Sequence, residues 1–431
     1  MLNHQVGFQL DSSPFQSSRL ANRTVALVLA GGRGSRLHEL TTERAKPAVH
    51  FGGNARIIDF TLSNALNSGF RKIAVATQYE AHGLIRHLQR GWNFLRPERN
   101  EFLDLLPASQ GLRDQDWYQG TADAVRRNID ILDSYDIDYA LILAGDHVYK
   151  MDYSVMLRQH VERGADVTVS CIAVPLEDAR GYGVVQVNPR DRITGFQEKP
   201  TQPTPLPDDP LHCLASMGVY VFNWAFLRAQ LLNCSPETLN DFGADLIPSL
   251  VEQGRAVAHR FTNSCVRDTP DQPAYWRDVG TLDAYWQANI DLTRITPSLN
   301  LWDRGWPVWT HQENAPPAKF VHAEPRRKGS AIETMIGGGC IISGSEICNS
   351  LVSPYVHTHS YSTLRESVVL PDVSIGRSAR LTRAIIDRGV RIPDGLVVGE
   401  NRDQDAQWFR VTDGGVTLIT QTMVDAWSKA R

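Results

Sequence analysis

The chain has 431 residues, too many for one ordinary core, and its 42% hydrophobic content is enough to fill two, so two domains are expected. A formal net charge of -4 excludes the broad basic footprint of a nucleic-acid binder. No apolar run approaches the roughly 20 residues that span a bilayer, and the six cysteines (171, 213, 234, 265, 340 and 348) show neither a C-x-x-C pair nor metal-ligand spacing.

No nucleic-acid or membrane partner is therefore expected, and reduced thiols in a cytoplasmic protein are the expected state. Residues 1–22 are polar and unlike a secretion signal, and they read as a loosely ordered N-terminal arm. The apolar run Val25 to Ala30 then breaks into a loop carrying Gly31, Gly32, Arg33, Gly34 and Arg36. The run reads as a buried strand and the glycines as the turn after it. Glycine lets backbone N–H groups approach a ligand and the arginines add fixed positive charge, a combination suited to a polyphosphate. This is not a Walker loop, because no Gly-Lys-Ser/Thr follows, and it does not match the dinucleotide fingerprint. In isolation, a tight turn with two solvated arginines accounts for it equally well. The continuation Arg44-Ala-Lys-Pro-Ala-Val-His50 favours the phosphate reading, because Lys46 precedes Pro47 in an extended segment that can fold back beside the glycine loop.

Buried strands at Val25–Ala30, Ile73–Thr77, Tyr139–Ala144 and Val167–Val174 alternate with helical patterns near Ile58–Asn67, Ala81–Arg90, Ala122–Leu132 and Tyr153–Glu162. Such alternation predicts a mainly parallel sheet with helices on both faces, and ligands bind at the carboxyl ends of its strands. The Gly31 loop and the Gly145-Asp146-His147 turn both fall at such ends. The polar interval Gly91 to Gly120 interrupts the pattern and has the length of a lid, a regulatory arm or a disordered segment. From Gly183 to Phe222 shorter strands with Pro-rich punctuation read as an antiparallel addition closing over one side of the site. The segment from Arg294 to Pro317, rich in Trp and Pro, reads as a linker lying against the first domain. Beyond Ile332 aliphatic residues recur near every sixth position, most clearly in Cys340-Ile-Ile-Ser-Gly-Ser345, Val373-Ser-Ile-Gly-Arg-Ser378 and Val390-Arg-Ile-Pro-Asp-Gly395. A six-residue period of this kind suits a parallel β-helix, with an irregular β-sandwich as the alternative.

Several residues have chemistry to offer. Asp146, just past a buried strand, is a reasonable oxygen ligand for Mg²⁺, or else a capping aspartate. Asp278 in Tyr275-Trp-Arg-Asp-Val-Gly280 carries the same two readings. Lys199 in Phe196-Gln-Glu-Lys-Pro200 can meet a monophosphate while Glu198 accepts from hydroxyls, although such pairs are usually solvated. Trp117-Tyr-Gln-Gly-Thr-Ala-Asp123 opens a helix with donors, an aromatic ring and a glycine, which suits a base or sugar pocket.

Taken together and in this order, these stretches resemble the ADP-glucose pyrophosphorylases, the glucose-1-phosphate adenylyltransferases of bacterial glycogen synthesis. The matching stretches are LAGGRGSRL from Leu29, RAKPAVHFGG from Arg44, RIIDFTLSN from Arg56, TQY at Thr77, WYQGTADAV from Trp117, LAGDHVYKMDY from Leu143, EKP at Glu198, ASMGVYVF from Ala215, DFG at Asp241 and YWRDVGT from Tyr275. The resemblance implies an α/β fold. A Rossmann-like nucleotidyltransferase domain with a mainly parallel mixed sheet would span residues 23–293, a linker 294–316 and a left-handed parallel β-helix 317–431. It further implies that Gly31, Gly32, Arg33, Gly34, Arg36 and Lys46 hold the ATP phosphates, and that Gln78 and Gly120 meet the adenine. Asp146 and Asp278 would hold Mg²⁺, with Asp146, Lys46 and Arg33 carrying the catalysis. Tyr118, Gly183, Glu198, Lys199, Ser216, Tyr220, Asp241, Phe242 and Trp276 would surround glucose 1-phosphate. Arg44, His50, Arg56 and Arg388 fall on positions of the family's allosteric site, and Gln78 and Trp117 on positions thought to relay its signal. A homotetramer is implied by analogy.

One departure stands out. Enteric members carry a lysine just before the arginine matching Arg44, whereas this chain has Glu43. A carboxylate there opposes anion binding, which points to a different activator, with fructose 6-phosphate and pyruvate as candidates. A pyrophosphorylase using UTP or dTTP, or a noncatalytic sensor of sugar nucleotides, are the competing readings. A bifunctional uridylyltransferase–acetyltransferase would need more β-helical turns than about 70 residues supply.

Overall fold

The structure, a computed structural model, describes residues 14–108, 117–234 and 239–430. Residues 1–13 of the expected arm and 109–116 of the polar interval lie outside the described residues. The rest of the arm, Pro14–Asn22, is helix α1, and its Ala21 is buried in the core.

One nine-stranded sheet organises the first half. Its strands are β1 Thr24–Ala30, β2 Lys72–Thr77, β3 Phe102–Pro107, β4 Tyr139–Ala144, β5 Val167–Pro175, β6 Gly183–Val187, β7 Ile193–Glu198, β8 His212–Asn223 and β9 Ala256–Arg260. They run β7-β6-β8-β4-β1-β2-β3, with β5 also beside β8 and β9 beside β5. The β4-β1-β2-β3 part is parallel, and β8 enters antiparallel to β4, β5 and β6. Alternate residues of β1 point to opposite faces: Ala26 and Val28 join one core, Val25 and Leu27 the other. Helices cover both faces, as a buried parallel sheet requires. On one side lie α1, α2 (Ile57–Asn67), α3 (Ala81–Gly91) and α6 (Tyr153–Glu162). On the other lie α4 (Thr121–Arg126), α5 (Ile129–Asp133), α7 (Trp224–Asn233) and α8 (Ile247–Glu252).

Three expectations change in detail. The helix expected over Ala122–Leu132 is two helices, because the Asn128 side chain takes the Ala124 carbonyl at 2.7 Å and interrupts the backbone ladder. The interval from Gly91 to Gly120 contains β3, an edge strand whose apolar residues are hidden among polar flanks. The strands from Gly183 onward continue the main sheet instead of closing over it, and β8 lies at its centre.

Beyond α9 (Leu282–Asp291) the chain lies along α2. Indole N–H groups of Trp306 and Trp309 donate to Asn64 and Asn67, each at 2.9 Å, and Thr310 donates to Asp59 at 2.6 Å. Parallel strands then stack in three sheets, the arrangement of a left-handed β-helix. Ile342, Thr358, Ile375 and Ile392 align in register at one coil per 16 or 17 residues, so the three clearest hexapeptide copies lie on one sheet, with Ile342, Ile375 and Ile392 buried. Coiling begins at Lys319, before the first legible copy. The helix Gln421–Lys429 follows the last strand and buries Val424 in the β-helical core. A separate apolar cluster spans both halves, joining Leu37, Phe51, Tyr285 and Trp286 to Val368, Ile385 and Leu418.

Candidate active site

The carboxyl ends of β1, β2 and β4 open onto a cleft of about 690 Å³. Gly31, Gly32, Arg33 and Arg36 line one side with Gln78, Trp117, Tyr118 and Gly120. Gly183, Glu198, Lys199, Ser216, Tyr220, Asp241, Phe242 and Trp276 line the other, with Asp146 and Asp278 also on the wall. Gly34 and Lys46 are not part of the lining. Gly34 has a φ of +64°, and a Cβ on it would lie 2.7 Å from the Lys46 Cβ, so it seats the lysine stem.

A short antiparallel ribbon brings the two aspartates together. His147–Tyr149 pairs with Trp276–Asp278, with Asp278 opposite His147, so Asp146 emerges beside a residue far along the chain. The Lys46 ammonium stands between them, 2.9 Å from Asp146 Oδ2 and 2.6 Å from Asp278 Oδ1. Arg36 approaches the other oxygen of Asp278 at 3.4 Å. Loss of hydration alone would raise the Asp146 pKa, but Lys46 and then His147 outweigh it and hold the carboxyl at about 2. The same balance lowers Asp278, and the two carboxylates raise Lys46 against its burial. The residue assigned by sequence to ATP phosphates thus sits on the nearest anions of the protein.

Oxygens of Asp146 and Asp278 and a ring nitrogen of His147 lie within 4.8 Å of one another. Two carboxylates are the hard donors that Mg²⁺ takes from protein, leaving its other positions to water and phosphate oxygens. The donor set therefore fits that ion.

On the nucleotide side, the Arg33 guanidinium lies 4.0 Å from the centre of the Tyr79 ring and donates to its hydroxyl, while Trp117 stacks on Tyr79 with centroids 4.9 Å apart. A Cβ at Gly31 would touch the Gln78 side chain at 3.2 Å, and one at Gly120 would lie 2.3 Å from the Asn240 carbonyl oxygen, so the Gly120 turn demands the bare backbone. On the sugar side, Asp241 accepts from Thr121 at 2.8 Å and from the backbone of Gly243 at 2.8 Å. Phe242 is a core residue whose ring stacks on Tyr220, centroids 5.6 Å apart, and floors the cleft. A two-residue bulge between Ser216 and Tyr220 turns β8 toward the cleft. Gly183 gives way to Phe196 and Glu198, and Lys199 projects from the rim against Glu198 at 2.8 Å. Trp276 packs edge-on to His147 and Tyr182 at 4.9 and 5.2 Å. Tyr79, His147 and Tyr182 had no role in the sequence reading, although Tyr79 and His147 sit inside the quoted TQY and LAGDH stretches.

Arg44, His50, Arg56 and Arg388 also converge, but away from the cleft, where the β-helix meets the first domain. Arg44 forms a bidentate pair with Asp387 at 2.6 and 3.3 Å, and Arg388 donates through two of its nitrogens to a single oxygen of Asp372, Oδ2, at 3.0 and 2.7 Å. Burial, then Arg56, Arg388 and Arg44, hold the His50 imidazole well below its usual pKa. Burial lowers Arg56 to about 10, with Arg388 and Arg44 adding to the effect. The His50 Nδ1 and Arg56 Nε are buried and have no partner among the described residues. All six cysteines are free thiols, and among the described residues no helix is long and apolar enough to cross a membrane.

Residues 25–295 match the nucleotidyl transferase family, and residues 316–419 match the GlmU-like C-terminal hexapeptide family. The chain is 60% identical over 418 residues to the glucose-1-phosphate adenylyltransferase of Jannaschia sp. (strain CCS1), covering 96% of this chain and 100% of that one. It is 59% identical to that of Cereibacter sphaeroides (strain ATCC 17025 / ATH 2.4.3), over 96% of this chain and 98% of the relative. Identity to that of Mesorhizobium japonicum is 60%, over 94% and 97%. With a nucleotide-sized cleft walled by a glycine–arginine loop and two converging carboxylates, and with relatives matched end to end, this chain belongs to the glucose-1-phosphate adenylyltransferase family.

Proposed function

We propose that the chain transfers the adenylyl group of ATP to glucose 1-phosphate, giving ADP-glucose and pyrophosphate. The convergence of Asp146 and Asp278 on one point of the cleft, facing the arginine-bearing loop, carries this reading. A sugar phosphate has a second pKa of about 6 by analogy with phosphorylated side chains, so its attacking oxygen is largely anionic near neutral pH and no general base is needed. The protein's task is to align two anions at the α-phosphorus and offset the charge that spreads there. Arg33, Arg36 and Lys46 do so from the nucleotide side. Lys199 and Glu198 hold the acceptor's phosphate and hydroxyls, with Asp241, Tyr220 and Trp276 around the sugar. Asp146 and Asp278 would hold Mg²⁺, whose chemistry is to neutralise phosphate oxygens.

The arginines Arg44, Arg56 and Arg388, with the buried His50 imidazole among them, would bind an anionic effector between the domains. The buried, unpartnered nitrogens of His50 and Arg56 support that reading, with Gln78 and Trp117 relaying the signal. Glycolytic intermediates as activators, adenine nucleotides or phosphate as counter-effectors, a homotetramer and a cytoplasmic setting complete the reading. Steady-state assays with ATP, UTP and dTTP against glucose 1-phosphate, following pyrophosphate release with Mg²⁺ present, test it. Turnover with ATP far above the other two is expected. A preference for UTP or dTTP would reassign the base, and no pyrophosphate with any of the three would leave a sensor.

A further inference from the structure

Lys46 stands where a divalent cation would stand. Its ammonium touches one oxygen of each carboxylate, at 2.9 and 2.6 Å, and only 4% of the side chain is exposed. A Mg²⁺ ion needs oxygens at about 2.0–2.1 Å, so an ion drawn to these two oxygens competes with the ammonium for them and meets its positive charge at close range. We propose that Lys46 is the resident counter-ion of the free enzyme, and that a divalent cation enters this site only when nucleotide phosphates give the ammonium another anion to move to. The identity of that anion rests on the adenylyl-transfer reading.

Charge balance supports the exchange. In the free protein the two carboxylates face Lys46 and Arg36, two negative charges against two positive. A divalent cation arriving alone would leave the site with two surplus positive charges in a partly desolvated pocket, an arrangement that Coulomb repulsion opposes. A triphosphate arriving with the cation removes the surplus. The route for the ammonium is also defined. Pro47 and the Val49 N–H bond to the Lys46 carbonyl at 3.1 Å fix the backbone, and Gly34 packs against the lysine stem. Motion is left to the outer bonds of the side chain, beside the glycine loop.

Mn²⁺ serves as the probe, with the free ion counted by electron paramagnetic resonance and no nucleotide present. The wild-type enzyme is expected to bind Mn²⁺ weakly. Lys46→Met, which keeps most of the stem, should tighten binding about tenfold or more, because it removes the ammonium's repulsion of a divalent ion within a few ångströms. Lys46→Gln should act in the same direction, and covers the case in which the Met variant does not fold. Adding Asp278→Asn to either should abolish the gain. Wild-type affinity equal to that of a folded Lys46 variant would overturn the proposal. That result would leave the reaction itself untouched, since the nucleotide assay on the wild-type enzyme decides it separately.

Discussion

Arg44 and Lys46 are two residues apart, yet they anchor to opposite structures: Arg44 to Asp387 of the β-helix, and Lys46 to the aspartates of the cleft. One rigid turn, Lys46–Ala48, follows directly. Whatever alters the Arg44 contact therefore acts on the backbone that positions Lys46. An anionic effector would compete with Asp387 for Arg44, and linkage requires it to favour one state of the enzyme over the other. Arg44→Ala should raise the half-saturating activator concentration about fivefold or more, within the usual range of allosteric coupling, and impair basal turnover less. Asp387→Asn should lower it. Saturation curves with fructose 6-phosphate and with pyruvate check both. If basal turnover vanished while activation survived, Arg44 would belong to the active site.

Asp146→Asn should reduce kcat roughly a hundredfold or more, the scale of other single electrostatic deletions at reacting centres. The variant keeps the shape of the side chain, so its melting temperature serves as the control. A folded variant with near-normal turnover would remove Asp146 from the chemistry.

Lys199 acts on the acceptor before and during reaction alike, so Lys199→Ala should chiefly raise KM for glucose 1-phosphate. The side chain is 64% exposed and among the described residues pairs only with Glu198, so stability should not change measurably. A fall in kcat at constant KM would contradict the assignment.

Gly34→Ala forces a side chain into the left-handed region and against the Lys46 stem. A loss of about 1–2 kcal/mol in urea unfolding is expected, together with a raised KM for ATP. An unchanged KM would show that the glycine serves only its own turn.

Stability should fall with acidity in two separate windows. Burial lowers His160 and His259 to about 4, so the unfolded chain takes up protons below about 6.5 while the folded one does not. Stability is fully present above that pH and declines toward 4, by roughly 2 kcal/mol per imidazole at pH 5. Asp146, lowered to about 2, adds its loss only below its ordinary range. Urea unfolding at pH 7 and pH 5 should show a smaller difference for His160→Gln than for the wild type.

How much of this was legible in the sequence follows from how local each signal is. The strands β1, β2 and β4 contain continuous apolar runs and β5 one broken only by Thr168 and Ser170, as burial on both faces of a parallel sheet requires. Strand β3 was hidden because an edge strand between polar flanks has no such run. Apart from Gly183, the residues assigned to the cleft from sequence came from quoted stretches, and of those assigned all except Gly34 and Lys46 line it. What no local pattern contains is the pairing of His147–Tyr149 with Trp276–Asp278, a contact between distant segments that decides where the aspartates meet. The destination of Lys46 was hidden for the same reason, since an ammonium goes to whichever anions the fold brings nearest. Tyr79, adjacent to Gln78, shows its role only through the stacked rings of Trp117 and the guanidinium above it.

The apolar cluster shared by Leu37, Phe51, Tyr285 and Trp286 with Val368, Ile385 and Leu418 has a practical corollary. An excised catalytic half would carry a bare greasy flank with no lid, and would be expected to clump on expression. The two modules should denature in a single calorimetric peak, and grafting the β-helix of a distant cousin would succeed only if the seam were transplanted with it.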